Sequence, residues 1–166
     1  IMKENTFRGK RKRDSEWTYG SLALVLEGAF IWDQRMHQIL EKDLVFEKLN
    51  DMLQVVIPET VGQFTEYITE DGDKLFEGDI VKRTCNEKKV QFSDCKYLCE
   101  AWEIGVVRYN KKYTRFEVNV IKQQDLWYGI LPHAGNIRGY DWKIIGNETD
   151  NPEILKNKKY KKRSRS

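Results

Sequence analysis

Pro58-Glu59-Thr60-Val61-Gly62-Gln63-Phe64-Thr65, followed by Asp71-Gly72 and then Leu75-Phe76-Glu77-Gly78-Asp79-Ile80-Val81, reads as strand, turn, strand. Val61 and Phe64 flank a glycine, Asp71-Gly72 is a strong hairpin signal, and Gly78 leads into an Ile-Val pair of high β propensity. The stretch predicts a small β-barrel. Glu77 and Asp79 lie two residues apart and would share one side of a regular strand, a spacing that suits an acid–base pair or a metal site. Gly-Asp before a β-branched pair also begins the first strand of small barrels, with the glycine at positive φ and the short acid tying down the turn. The turn is the preferred reading, and no Asp-x-Asp-x-Asp-Gly calcium loop accompanies it.

Toward the N-terminus, residues 7 to 22 predict a hairpin turned at Lys12-Arg13-Asp14-Ser15, with Trp17 and Tyr19 alternating with polar neighbours as in a half-buried strand. Ala29-Phe30-Ile31-Trp32 predicts another strand. Between Asp33 and Leu53 the apolar residues fit a short helix and irregular structure equally, and Val55-Val56-Ile57-Pro58 reads as a strand end because proline cannot donate to a ladder. Toward the C-terminus, short segments recur at Asp79 to Cys85, Lys89 to Phe92, Glu103 to Tyr109, Phe116 to Ile121 and Tyr140 to Ile145, the spacing of a barrel or sandwich. Gly105 to Tyr109 and Thr114 to Val120 form an antiparallel hairpin turned at Asn110-Lys111-Lys112. In its second strand Phe116, Val118 and Val120 are expected to be buried and Glu117 and Asn119 wet. Asn151-Pro152-Glu153 signals a last helical turn, with Asn151 as cap.

The 166 residues carry 29 Lys and Arg against 26 Asp and Glu, a formal charge of +3. Seven of the basic residues, and no acidic one, lie in 156–166, so the rest holds 22 basic against 26 acidic residues, a balance of −4. That block pattern predicts a disordered basic arm on a mildly acidic body. Five Trp, eight Tyr and seven Phe favour strands, where each ring removes a large apolar area from water. There is no run of about 18 apolar residues to span a membrane. The charged start, Met2-Lys3-Glu4-Asn5, lacks the apolar core of a signal peptide, so an intracellular, cytoplasmic protein is expected. Three cysteines, Cys85, Cys95 and Cys99, do not make a disulfide framework in that setting.

Chemical motifs are sparse. Cys95-x3-Cys99 resembles half of a zinc site, but Cys85, His37 and His133 supply no second close pair. Phosphate-loop, nucleophile-elbow and zincin motifs are absent. Gly135, Arg138 and Gly139 could cradle an anion, although a plain loop explains the same glycines. No catalytic residue, metal or cofactor is therefore expected. Basic residues interleaved with tyrosines crowd one hairpin turn, Arg108, Tyr109, Lys111, Lys112, Tyr113 and Arg115, where cations can meet phosphates and a ring can stack on a base. The solvated tip of an ordinary hairpin looks the same. Arg8, Lys10, Arg11, Lys12 and Arg13 form a second basic cluster, and Lys158, Lys159, Lys161, Lys162 and Arg163 in the tail a third.

Phe7-Arg8-Gly9-Lys10, Trp17 with Tyr19-Gly20, the Pro58 to Phe64 run, Glu77-Gly78-Asp79-Ile80-Val81, and Ile145-Gly146-Asn147 with Asn151-Pro152-Glu153 occur in an order that resembles the YopX family, found chiefly in bacteriophages and prophages. The resemblance covers nearly the whole chain. The basic tail and a polar insertion from Ser93 to Glu103 depart from it. It implies a phage or prophage accessory protein inside the host cell, and no activity or site residue, since the family has no established activity. The resulting expectation is an all-β or β-rich α+β chain: an N-terminal sheet over 1–54, an SH3-like YopX-type barrel with a closing helical turn over 55–155, and a disordered tail over 156–166. Its expected function is that of a non-enzymatic binding module contacting DNA or RNA through the hairpin and tail residues named above. The alternative is a protein–protein module that modulates a host or phage protein. Pairing of exposed strand edges into a homo-oligomer fits either reading, and no membrane partner is expected.

Overall fold

A computed structural model of the chain describes residues 6–25, 28–33, 53–85, 101–124, 137 and 141–156. The described residues are β-rich: ten strands in two antiparallel sheets and one short helix. The chain divides into two compact units, Ile1–Gly78 and Asp79–Ser166.

The first unit holds β1 (Phe7–Lys10), β2 (Trp17–Val25), β3 (Gly28–Asp33), β4 (Leu53–Val56), β5 (Gly62–Ile68) and β6 (Lys74–Phe76), in the order β4-β3-β2-β1-β5-β6. The predicted first hairpin is present. Its turn is organised by Asp14, whose carboxylate accepts from Arg11 Nε at 3.0 Å, Arg13 Nε at 3.2 Å and the Glu16 N–H at 3.1 Å. What little burial there is raises the carboxyl's pKa, but the Glu16 N–H and the two arginines outweigh it and hold the group below its ordinary value.

The core of this unit is Ala29, Ile31 and Val56, with Phe7, Leu22 and Val61 packed against it. A Cβ on Gly9 would lie 3.1 Å from both Ile31 Cδ1 and Val56 Cβ. With Gly9 opposite Thr18 and Phe7 opposite Gly20, the inward positions of β2 are therefore small: Thr18 and Gly20 are buried and Tyr19 is exposed. The alternation expected for β2 is real, but the aromatic residues occupy the other face.

The sheet also curls. Its edge strand β4 returns to the end of β1 through one bridge, Arg11 to Val56, flanked by Lys12 N–H to Val55 O at 2.9 Å and Ile57 N–H to Lys10 O at 2.8 Å. Pro58 ends β4 as expected and opens a single 3-10 turn, Pro58–Thr60. There the Thr60 hydroxyl accepts from the Lys10 N–H and donates to Ile57 O.

The β5–β6 hairpin turns at Asp71-Gly72, with Gly72 at φ 90°. Glu77 and Gly78 then form a turn, with Gly78 at φ 86°, which is the structural reading of that motif. Glu77 thus lies in the turn and Asp79 begins the next strand, so the two do not share a strand face. Because β5 pairs with β1, residues 62–76 belong to the N-terminal sheet, and the chain divides after Gly78 where the sequence reading divided it after residue 54. Strand pairing between β5 and β1 reaches back across residue 54.

The second unit holds β7 (Asp79–Cys85), β8 (Ala101–Asn110), β9 (Arg115–Gln124) and β10 (Lys143–Asn147), in the order β10-β7-β8-β9. The β8–β9 hairpin is the predicted one, with Tyr109 opposite Phe116 and Val107 opposite Val118. A short helix, α1 (Pro152–Leu155), follows with Pro152 in its first turn. Asn151 occupies the expected cap position but does not cap; its Oδ1 accepts from the Asn147 N–H at 3.2 Å and closes the turn before the helix. Among the described residues neither sheet forms a closed barrel. The strand expected over Lys89 to Phe92 and the ambiguous segment at 34–52 lie outside the described residues.

Candidate functional site

The sequence-predicted cluster sits at the free end of β8–β9. Asn110 builds the turn: its Oδ1 accepts from the Lys112 N–H at 3.0 Å and the Tyr113 N–H at 3.4 Å, while its Nδ2 donates to Glu117 Oε2 at 2.6 Å. Thr114 takes φ 50° to complete the reversal. This geometry turns Tyr113 outward, 53% exposed. Lys112 Nζ and Arg115 Cζ each stand 5.2 Å from its ring centroid, within cation–π range. Lys111 is exposed beside them. Tyr109, also exposed, meets Phe116 edge-on across the ladder at 5.2 Å.

Two of the predicted cations are partly spent on the fold. Arg108 forms a bidentate pair with Glu148, Nη1 to Oε1 at 2.6 Å and Nη2 to Oε2. Arg115 donates to Glu117 from Nε at 2.9 Å and lies 2.8 Å from it through Nη2. Glu117, expected to be wet, is buried because Asn110 and Arg115 satisfy both its oxygens. The Asn110 hydrogen bond is the largest influence on its pKa; burial opposes it, and the bond and charge of Arg115 complete a net lowering. A lowered carboxyl pKa contributes stability that is present above the unfolded value and lost as pH falls through the folded one. Below the ordinary glutamate range, amide exchange at Lys112 and Tyr113 is therefore expected to accelerate ahead of β8 as a whole. Measured as protection relative to the intrinsic exchange rate, that acid-induced loss is expected to vanish in Glu117→Gln; protection in the wild type that holds down to the acid limit would refute the assignment.

The tail residues Lys158, Lys159, Lys161, Lys162 and Arg163 lie outside the described residues, as do His37, His133, Cys95, Cys99, Gly135, Arg138 and Gly139. Among the described residues no three His, Cys, Asp or Glu gather as metal ligands, and no helix is long and apolar enough to cross a membrane. The N-terminal basic cluster is not a uniform patch. Arg11 and Arg13 serve Asp14, and Arg8 is buried, its guanidinium 4.8 Å from the Trp17 centroid and 5.0 Å from that of Phe76, with Nη2 donating to Glu77 O at 3.3 Å.

Sequence reading did not single out Arg83 and Glu103. They face each other across β7 and β8 as a buried pair at 2.6 Å, with Arg83 Cζ 5.2 Å from the Trp142 ring. The sequence signal was an Arg and a Glu on two predicted strands, and only the register makes them partners.

The family model for YopX protein matches residues 6–156, spanning both units. The chain belongs to the YopX family. No curated protein matches it. The YopX match contains the whole hairpin tip and all ten strands, while the tail cations from Lys158 onward lie beyond it.

Proposed function

We propose that this YopX-family chain is a phage- or prophage-encoded, non-enzymatic accessory binding module that works in the host cytoplasm and contacts the backbone of DNA or RNA through its β8–β9 tip, aided by the basic tail. The observation that carries the reading is the tip itself. Lys112 and Arg115 flank an outward Tyr113 beside the exposed Lys111, a set of cations and a ring that suits phosphates and an unstacked base. Glu148 and Glu117 offset Arg108 and Arg115, so Lys111 and Lys112 carry the excess charge and the contact is expected to be sequence-tolerant.

The test is fluorescence anisotropy of labelled single- and double-stranded DNA and RNA across roughly 50 to 200 mM salt. The double variant Lys111→Glu/Lys112→Glu is expected to weaken binding at least about tenfold and flatten the salt slope by about two, roughly one for each phosphate that the two lysines neutralise in the wild type. Absence of salt-dependent binding by the full chain refutes the proposal. The second reading, a protein–protein interaction module that modulates a host or phage protein, is favoured by one observation: Leu24 and Val25 are 75% and 54% exposed at the end of β2.

A further inference from the structure

The β8–β9 tip holds its rings and its matched charges on different sides. Beyond the last pair with β7, Ile80 opposite Val106, β8 runs on with β9 from Val107 opposite Val118 to Asn110 opposite Arg115. Val107, Val118 and Glu117 are buried there, whereas Tyr109, Arg115 and the turn residues Lys111, Lys112 and Tyr113 are exposed. Opposed residues of a ladder share a face, so Tyr109 and Phe116 lie on one side of it and Asn110 and Arg115 on the other, with Arg108 two residues along.

On the second side the charges are matched, Arg115 by Glu117 and Arg108 by Glu148. On the first, Phe116 meets the Tyr109 ring edge-on at 5.2 Å and sets its orientation, and Tyr109 is still 43% exposed. Tyr113, 53% exposed, stands in the turn that Asn110 fixes through the Lys112 and Tyr113 N–H groups. The tip therefore offers ring surface at two places on a rigid reversal, with Lys111 and Lys112 between them in the chain.

A duplex keeps its base faces inside the stack and offers only phosphates and groove edges, so the two rings could engage it only by unstacking a step. A single strand offers its base faces directly, and each stacked base strengthens binding by roughly tenfold or more with little regard to its identity. The charge points the same way. With Arg108 and Arg115 matched, Lys111 and Lys112 supply about two phosphate contacts, few beside the roughly six to ten of a strong duplex binder. We propose that the tip is a two-base platform for single-stranded DNA or RNA: Tyr109 and Tyr113 each take a base face, Phe116 positions Tyr109, and Lys111 and Lys112 take the adjoining phosphates. The inference rests on the nucleic-acid reading above and names the form of nucleic acid that the site takes.

Anisotropy of the full chain with three labelled probes tests it: an oligothymidylate of about 12 nucleotides, a strand of the same length without bases, and a duplex of that length. The oligothymidylate is expected to bind at least about tenfold more tightly than either of the others. Tyr109→Leu/Tyr113→Leu is expected to abolish that margin with the salt slope unchanged, and Tyr109→Phe/Tyr113→Phe to keep it. Lys111→Gln/Lys112→Gln is expected to keep the margin and lower the slope on the single strand by about 1.4. A base-free strand or a duplex that binds the wild type as tightly as oligothymidylate, while the lysine variant is impaired, overturns the platform and leaves the tip reading standing; this comparison uses the unaltered chain and does not depend on how the variants fold. A Leu pair that retains the margin, or a Phe pair that loses as much as the Leu pair, also overturns it. Competition by polyglutamate as effective as by unlabelled oligothymidylate assigns the tip to an acidic protein and overturns it too. If the wild-type chain binds no nucleic acid, both readings fall.

Discussion

Glu103→Ala is expected to destabilise the Asp79–Ser166 unit by about 3–5 kcal/mol, the cost of leaving one member of a buried ion pair behind. Arg83 and Glu103 are both nearly inaccessible, with side chains 6% and 3% exposed, and their 2.6 Å contact is charge-assisted. Trp142, 1% exposed, covers the guanidinium and limits the water that could solvate an uncompensated cation. The pair is weak evidence of net stability, because both charges were desolvated to form it. Arg83→Met/Glu103→Leu is accordingly expected to recover most of the loss, and the departure from additivity measures the coupling. Urea unfolding combined with amide exchange in β7 and β8 checks the effect and assigns it to this unit, which a single global transition in a two-unit chain would not do. A loss below about 1 kcal/mol for Glu103→Ala would show that the charge finds water or another carboxylate, and would refute the expected burial.

Gly62→Ala is the second large effect, in the other unit. Gly62 pairs with Arg8 across β5 and β1, and a Cβ there would lie far inside contact distance of the Glu77 carbonyl oxygen. That atom belongs to the backbone and cannot rotate away. It accepts from Arg8 Nη2, while the Glu77 N–H is bonded to Gln63 O at 2.9 Å. Relief of the clash therefore breaks the junction of β1, β5 and the Glu77-Gly78 turn. Overpacking of this kind costs about 1–3 kcal/mol. Amide exchange is expected to show the opening in β1 and β5, with β7 to β10 retaining their protection; a variant as stable as wild type would mean that the turn shifts freely.

The strands were legible wherever pattern and turn chemistry agreed. Asp71-Gly72 and Gly78 marked reversals that need positive φ, and Phe116 and Val118 marked β9 with the right partners. Periodicity of two says that a strand has two faces without saying which is inside, hence the inversion at Trp17 and Tyr19. The inside is chosen by what packs opposite, here Ile31 and Val56 pressing on Gly9. The tip cluster was legible as composition. Which of its cations are engaged was not, because Glu148 lies forty residues from Arg108.

By itself the sequence determined a β-rich chain with a hairpin at 105–120, a terminal helical turn, an acidic body with a basic end and YopX membership, since all of these reside in local pattern, composition and motif order. Only the tertiary structure decided the division after Gly78, the burial of Glu117 and the Arg83–Glu103 pair. Each depends on which strands lie side by side and in what register, and that is set by long-range hydrogen-bond ladders and core packing among residues tens of positions apart.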